Sequence, residues 1–253
     1  MPRDHQHGVT QGEHRLVVAS LSNARALDVL VPEGGRLLDL GVGSGRALQR
    51  FLAMRPDVTA TGVDLAPNML ATARRFLDAD GVGRRVSLVE ADLTALPDQM
   101  TVEKWDAVSC VWCLHHLPDR DVLRAALRQI ADIRDRHGSA VWLLDFQRLR
   151  HPETFRATAA VAQPDMPPVL HADGVASEAA AFTQDELRAG LAAAGLADLE
   201  SGLARPIPWL QAFWYRGRMH GGPVSQRARL EPLRGPARVD AMLLRYGFSR
   251  LPR

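Results

Sequence analysis

The sequence predicts an α/β fold in which a mainly parallel, doubly wound sheet carries helices on both faces, with a small irregular cap inserted after the fifth strand. Three observations predict it. Short apolar strands alternate with helical segments from residue 36 to residue 145. A cluster of glycines stands where the first of these strands runs into a helix. The alternation then lapses over residues 147–181, before one more helix and two strand-like stretches. Parallel neighbours need a crossover of a dozen or more residues, usually helical, and strands covered on both faces read as continuous apolar runs.

Residues 14–30 place apolar side chains at 16, 17, 21, 24, 27 and 30, close to helical spacing. The loop Val31-Pro32-Glu33-Gly34-Gly35 ends that helix, and residues 36–40 (RLLDL) form a short buried strand. Helical spacing returns over 46–54. Residues 58–64 form the second strand and 67–79 the next helix, with Pro67 in the first turn, where its missing N–H is not needed. Residues 86–90, 106–112 and 139–145 supply three more strands, and 119–136 a helix stopped near Gly138. Past 147 a short helix is expected over 152–162, followed by a loop. Thr183 and Glu186 then form a capping box for a helix ending near Gly195, and 197–203 and 209–216 are strand candidates.

A chain of 253 residues with 46% hydrophobic and 24% charged residues is ordinary for a globular protein of one large domain. No apolar run reaches the ~18 residues of a membrane helix, and the polar start Met1-Pro2-Arg3-Asp4-His5-Gln6-His7 lacks a signal-type core, so a cytoplasmic protein is expected. Cys110 and Cys113 are too few for a disulfide framework. The net charge is +2, but residues 217–253 hold eight arginines against two acids, so this basic extension carries +6 and the rest −4. Its one amphipathic candidate, 237–246, offers a dimer contact. The extension lacks the interleaved aromatics of a nucleic-acid stacking platform.

The informative segment is Leu37-Leu38-Asp39-Leu40-Gly41-Val42-Gly43-Ser44-Gly45-Arg46. Glycines at a strand-to-helix turn adopt positive φ and let backbone approach a ligand, and the helix N-terminus behind them favours polar or anionic groups. A dinucleotide fingerprint starting at Gly41 would need glycine or alanine at 46, where Arg46 stands. Asp64, at the end of the second strand, suits a ribose diol, because one carboxylate accepts from both hydroxyls.

These residues resemble the class I (Rossmann-like) S-adenosylmethionine-dependent methyltransferases. Residues 37–45 match that family's glycine motif throughout, and the resemblance runs in order to Asp145 and more loosely to about 216. It implies seven strands, the last antiparallel, and a methyltransferase domain over 1–216 with 147–181 as an acceptor-side cap. It implies cofactor contacts from Asp39, Gly41, Gly43, Gly45, Asp64, Leu65, Met69, Asp92, Leu93, Cys110 and His115. Met69 falls where the family packs an apolar residue on adenine, and Asp92-Leu93 where it contacts the adenine amino group. The run 105–119, ending Leu114-His115-His116-Leu117-Pro118-Asp119, resembles the small-molecule branch.

Cys110 and Cys113 form C-x-x-C before His115 and His116. Along a strand, side chains three apart point to opposite faces, so a shared metal or redox pair is not expected. Asp145 stands where a metal-dependent subgroup has one acidic ligand, but Cys110 and Val111 occupy the other place, and no metal is expected. His115 or His116 is the candidate base, since ligands gather beyond the C-terminal ends of sheet strands. Phe155, His171 and Phe182 are candidates for the acceptor pocket. Trp209, Phe213, Trp214 and Tyr215 read as an aromatic strand packed in the core, with Trp214 and Tyr215 the candidates for a cavity wall. The expected activity is methyl transfer to a small molecule, leaving S-adenosylhomocysteine. The alternatives are an RNA or protein methyltransferase, or a non-catalytic S-adenosylmethionine-binding protein.

Overall fold

The computed structural model describes residues 23–162, 167–203 and 209–218. The first nine residues of the 14–30 helix, and the basic extension beyond 218 with its 237–246 segment, lie outside them. A seven-stranded sheet of order β3-β2-β1-β4-β5-β7-β6 forms the centre. Its strands are β1 (Arg36–Leu40), β2 (Thr59–Asp64), β3 (Val86–Glu90), β4 (Ala107–Val111), β5 (Ala140–Phe146), β6 (Glu200–Leu203) and β7 (Leu210–Tyr215). The first five are parallel, and β7 runs antiparallel to both β5 and β6. The strand order reverses between β1 and β4, and open sheets take their ligands at such a switch point, beyond the C-terminal strand ends.

Alternation along the strands sorts the core into two layers. Leu37, Ala107, Val111 and Trp142 face α1 (residues 23–30), α2 (Arg46–Met54) and α3 (Pro67–Ala79). Leu38, Leu40, Val108, Cys110 and Leu143 face α4 (Asp98–Val102), α5 (Arg120–His137) and α8 (Gln184–Ala193). Local chemistry sets the helix ends. Asp119 accepts from the N–H groups of Asp121 (2.8 Å) and Val122 (2.9 Å) to open α5, and Gly138 closes it with a left-handed φ of 71°. The Thr183–Glu186 capping box opens α8 as the sequence predicts.

The segment after β5 departs from expectation. The helix over 152–162 is there as α6 (Pro152–Ala162), but the loop expected next holds a second helix, α7 (Pro168–Ala180). Its weak amphipathicity hid it: both proline-flanked helices are alanine-rich, with no sharp apolar stripe. The base of this hairpin is pinned. Leu149 N–H donates to Glu178 Oε1 (2.6 Å), and Arg148 donates to Ala181 O (3.2 Å) and Glu186 Oε1 (2.8 Å). Helix α7 packs on the 3-10 turn Leu114–His116. Among the described residues no helix is long and apolar enough to cross a membrane.

One buried charge joins the first helix to the sheet. Arg55, 0% exposed, donates to Val31 O (2.9 Å) and Pro32 O (2.8 Å), to both oxygens of Asp57 (2.9 and 2.7 Å) and to Asp28 (3.4 Å). The Arg55 hydrogen bonds hold the Asp57 carboxyl down at about 2. Removing one partner of a buried pair strands the others. Arg55→Ala is therefore expected to lower unfolding free energy by roughly 3–5 kcal/mol, read by urea denaturation.

Candidate functional site

The C-terminal edge of the parallel strands collects most of the predicted residues, Trp214 and Tyr215 excepted. Gly41, Gly43 and Gly45 adopt φ of 72°, 53° and 75°, a run of left-handed backbone that turns β1 into α2. The turn is fastened to β2. Gly41 and Val42 N–H groups both donate to Val63 O (2.8 and 2.9 Å), and Gly43 N–H donates to Asp64 Oδ2 (2.8 Å). Two glycines are required by crowding as well. A methyl on Gly41 would collide with the Cys113 side chain, whose Cβ would lie 2.5 Å away, and one on Gly45 would meet Ala73 Cβ at 3.0 Å. At Gly43 nothing lies within 4 Å of the same position, so the backbone there faces open space. Arg46, which breaks the dinucleotide pattern, lies over the Phe76 ring at 4.1 Å.

Asp64 has a double duty. Its Oδ1 accepts from Ala66 N–H (2.9 Å), opening α3, while Oδ2 holds the glycine turn. Each oxygen keeps a second lone pair for a ligand hydroxyl. Leu65 and Met69 beside it are 66% and 41% exposed, apolar surface with the chemistry of a base-stacking wall. Asp92 lies exposed past β3, its Oδ1 taking the N–H (2.8 Å) and hydroxyl (2.7 Å) of Thr94, with Leu93 half-buried beside it.

Asp39 is buried one residue inside β1. It accepts from the Ser109 hydroxyl of β4 at 2.5 Å. Burial pushes its carboxyl up to about 6; the Ser109 bond opposes this and the nearby Asp64 adds to it. That shift from 3.8 means ionising Asp39 costs on the order of 3 kcal/mol in the ligand-free fold. A cation placed against it would relieve the strain. A buried carboxylate, an open glycine turn, a diol-ready Asp64 and exposed Leu65 and Met69 fit a ligand with an ammonium, a ribose and a flat base.

The strand exit from β4 corrects the sequence reading of the cysteines. Trp112 has φ 52°, the one non-glycine residue with positive φ among those described. This left-handed residue reverses the alternation. Its ring packs with Val111's layer, and Cys113 joins Cys110 in the opposite layer. The two thiols therefore meet. Cys110 is fully buried, and its bond to Cys113, burial, and the nearby Asp145 and Asp39 push its thiol well above the usual range. Cys110 lies wholly within the core, and the residue against the glycine turn is Cys113. Among the described residues, no three His, Cys, Asp or Glu side chains converge as metal ligands.

His115 is buried, and its Nδ1 lies 2.6 Å from Asp145 Oδ1 on β5, while its own N–H donates to Asp145 Oδ2 (3.0 Å). Asp145 thus fixes the ring, and with Nδ1 as donor, Nε2 is the basic nitrogen. His116 is exposed beside it, ring centroids 4.1 Å apart; partial desolvation and His115 lower its pKa, opposed by Asp145, Asp173 and Asp64.

The acceptor-side residues divide. Phe155 is buried edge-on to Trp209 (5.2 Å) and Phe146 (6.5 Å), and Phe146 stands edge-on to His115 (5.2 Å). His171 is half-buried on α7, and Phe182 belongs to the core. Trp214 and Tyr215 are not at this edge. Strand β7 is antiparallel, so they pair with Trp142 and Val141 near the start of β5, whereas Leu210 and Gln211 reach Phe146 and Asp145. Trp214 packs on Trp142 in the core, and Tyr215 lies under the Arg134 guanidinium. The aromatic from this strand region that does reach the edge is Trp209, whose carbonyl accepts from Gln147 N–H (2.8 Å). Antiparallel pairing was implied by the resemblance, and following it through would have found Trp209.

Comparison with known proteins agrees with this geometry. Residues 37–138 match the methyltransferase domain family. The demethylmenaquinone methyltransferase of Roseiflexus sp. (strain RS-1) is 34% identical over 122 residues, 48% of this chain and 47% of that one. The release factor glutamine methyltransferase of Rhodospirillum rubrum is 44% identical over 69 residues, 27% of this chain and 21% of that one. The chain thus spans less than half the length of these relatives. Among solved structures, a SAM-dependent methyltransferase from Aquifex aeolicus superposes with a TM-score of 0.53 at 14% identity, over 79% of this chain and 96% of that one, which shows a shared fold. The glycine turn, the reversed strand order and the antiparallel β7 accord with that match of residues 37–138 to the methyltransferase domain family.

Proposed function

We propose that this protein transfers the methyl group of S-adenosylmethionine to a small-molecule acceptor. The observation that carries the reading is the left-handed glycine turn beside Asp64 and the buried Asp39, with the His115–Asp145 pair between the turn after β4 and β5. The bound cofactor would supply a sulfonium-activated methyl group, so the protein need not build a reactive centre of its own. Asp64 would accept from the ribose hydroxyls, Leu65 and Met69 would cover the adenine, Asp92 and Leu93 would bracket its edge, and Asp39 would face the ammonium. The open backbone at Gly43 leaves room for this ligand along the turn.

The acceptor side lies toward β5. His115, held by Asp145, would take a proton from the attacking group through Nε2, and His116 would orient it. The α6–α7 hairpin over the Leu114–His116 turn would act as the cap that excludes water, with Phe155 and His171 on its acceptor-side elements. The protein's main task is then to hold the nucleophile in line, ~3–3.5 Å from the methyl carbon.

Similarity to a demethylmenaquinone methyltransferase supports a small acceptor. Similarity to a release factor glutamine methyltransferase favours a second reading, a protein acceptor. Against it, no Asn-Pro-Pro-Tyr-type motif of the kind found in many amino-group methyltransferases follows β4, where Trp112-Cys113-Leu114-His115 stands.

Labelled S-adenosylmethionine, incubated with the protein and a fractionated cell extract, should place label in the low-mass fraction. Label in protein or RNA would establish the second reading, and no label with firm cofactor binding would mark a non-catalytic binder. His115→Gln should cut transfer about 100-fold, read with labelled S-adenosylmethionine. The pH dependence follows from Asp39. Its carboxyl, raised to about 6, is mostly ionised at pH 7 and mostly protonated at pH 5. Calorimetry should show affinity for S-adenosylhomocysteine falling roughly tenfold between those values, and Asp39→Asn should flatten that profile.

A further inference from the structure

Trp112 combines two features that the ligand-free fold does not explain. It is the one non-glycine residue with positive φ among those described, at 52°, where a β-carbon crowds the following carbonyl. Its indole Nε1 is also shut off from water with no hydrogen-bond partner. An indole N–H usually finds an acceptor when buried, and strained residues concentrate at ligand sites. The other buried unpartnered ring nitrogens among the described residues are on Trp214 and His137. Those lie in the core toward the start of β5 and at the end of α5, away from the ligand edge.

The placement of Trp112 is specific. Its N–H donates to Leu144 O (2.8 Å), which carries the β4–β5 ladder one residue past the strand. Its ring packs on the sheet layer that includes Leu37 and Val42, the second residue of the glycine turn. Asp39 and Ser109 point to this same face, between Leu38 and Leu40 and between Val108 and Cys110, which point to the other. At the ends of neighbouring strands, one face therefore presents a buried carboxylate on β1 and an unused N–H donor beyond β4. A carboxylate complements an ammonium, and an N–H donor complements a carboxylate. Together they match the α-amino acid end of a ligand.

Resting on the cofactor reading above, we infer that Trp112 is a cofactor-positioning residue whose indole N–H donates to the carboxylate of the methionine moiety, opposite Asp39 at the ammonium. The left-handed backbone is what brings the ring to that face. Without it, alternation would send position 112 into the opposite layer with Cys110.

The test is calorimetry with two probes, S-adenosylhomocysteine and 5′-methylthioadenosine, which lacks the amino acid end. Trp112→Phe should weaken S-adenosylhomocysteine binding about tenfold or more and leave 5′-methylthioadenosine within about twofold. Equal weakening of both would assign the ring a packing role and overturn the proposal, as would no change in either. A second readout needs no variant. Of the five tryptophans, Trp112 should be the one whose indole N–H resonance moves downfield with S-adenosylhomocysteine and not with 5′-methylthioadenosine. An unmoved resonance would also overturn it. If the wild-type protein bound neither probe, the cofactor reading itself would fail, a result distinct from loss of the split between them.

Discussion

The turn from Gly41 to Gly45 is the constraint on which the rest of the site depends. Three left-handed residues in five reverse the chain between β1 and α2, and only glycine takes that path without strain at each step. The turn does not hold itself. Val63 O and Asp64 Oδ2 fasten it to β2, and Cys113 packs against Gly41 from β4. Each neighbour is thereby set in place by the turn it supports. Asp64 is aimed because it already binds Gly43 N–H, and the β4 exit follows the space that Gly41 leaves. A ligand arriving here would meet groups that are mostly fixed in advance, which is how a binding site limits its ordering entropy.

The opposite half of the site is held by a different logic. His115 lies in the turn that leaves β4 and Asp145 on the adjacent parallel strand β5, and the carboxylate binds both the ring and the backbone of the histidine. Two buried carboxyl groups, Asp39 and Asp145, therefore flank the β4 exit and have different partners. Asp145 is engaged by His115 and by Phe146 N–H (2.7 Å), whereas Asp39 has the Ser109 hydroxyl. In the function proposed above, Asp39, with the single hydroxyl partner, would receive a cation, and Asp145, bound to the ring and backbone of His115, would orient a base.

Much of the fold was legible because strand and helix periods differ and the glycines mark the joint between them. The five parallel strands lie within a residue of the stretches read from apolar runs, and the Thr183 box opens its helix. Four features were not legible, each for a physical reason. Helix α7 has too weak an apolar stripe to register. Cys110 and Cys113 were placed on opposite faces because regular alternation cannot foresee a tryptophan at positive φ. Trp214 and Tyr215 were carried to the site by their aromatic character, although an antiparallel strand brings its beginning there, with Trp209 just before it. Asp145 was legible as an acid at a strand end, but its partner was not, because the pairing with His115 spans 30 residues and depends on the turn that follows β4.

The most direct test of this account is a calorimetric titration of the full chain at pH 7.5 with S-adenosylhomocysteine and, separately, with NAD. The geometry of the glycine turn, Asp39 and Asp64 predicts one site for S-adenosylhomocysteine in the micromolar range and no heat of binding with NAD. Binding of NAD without S-adenosylhomocysteine, or of neither by the folded protein, would contradict it.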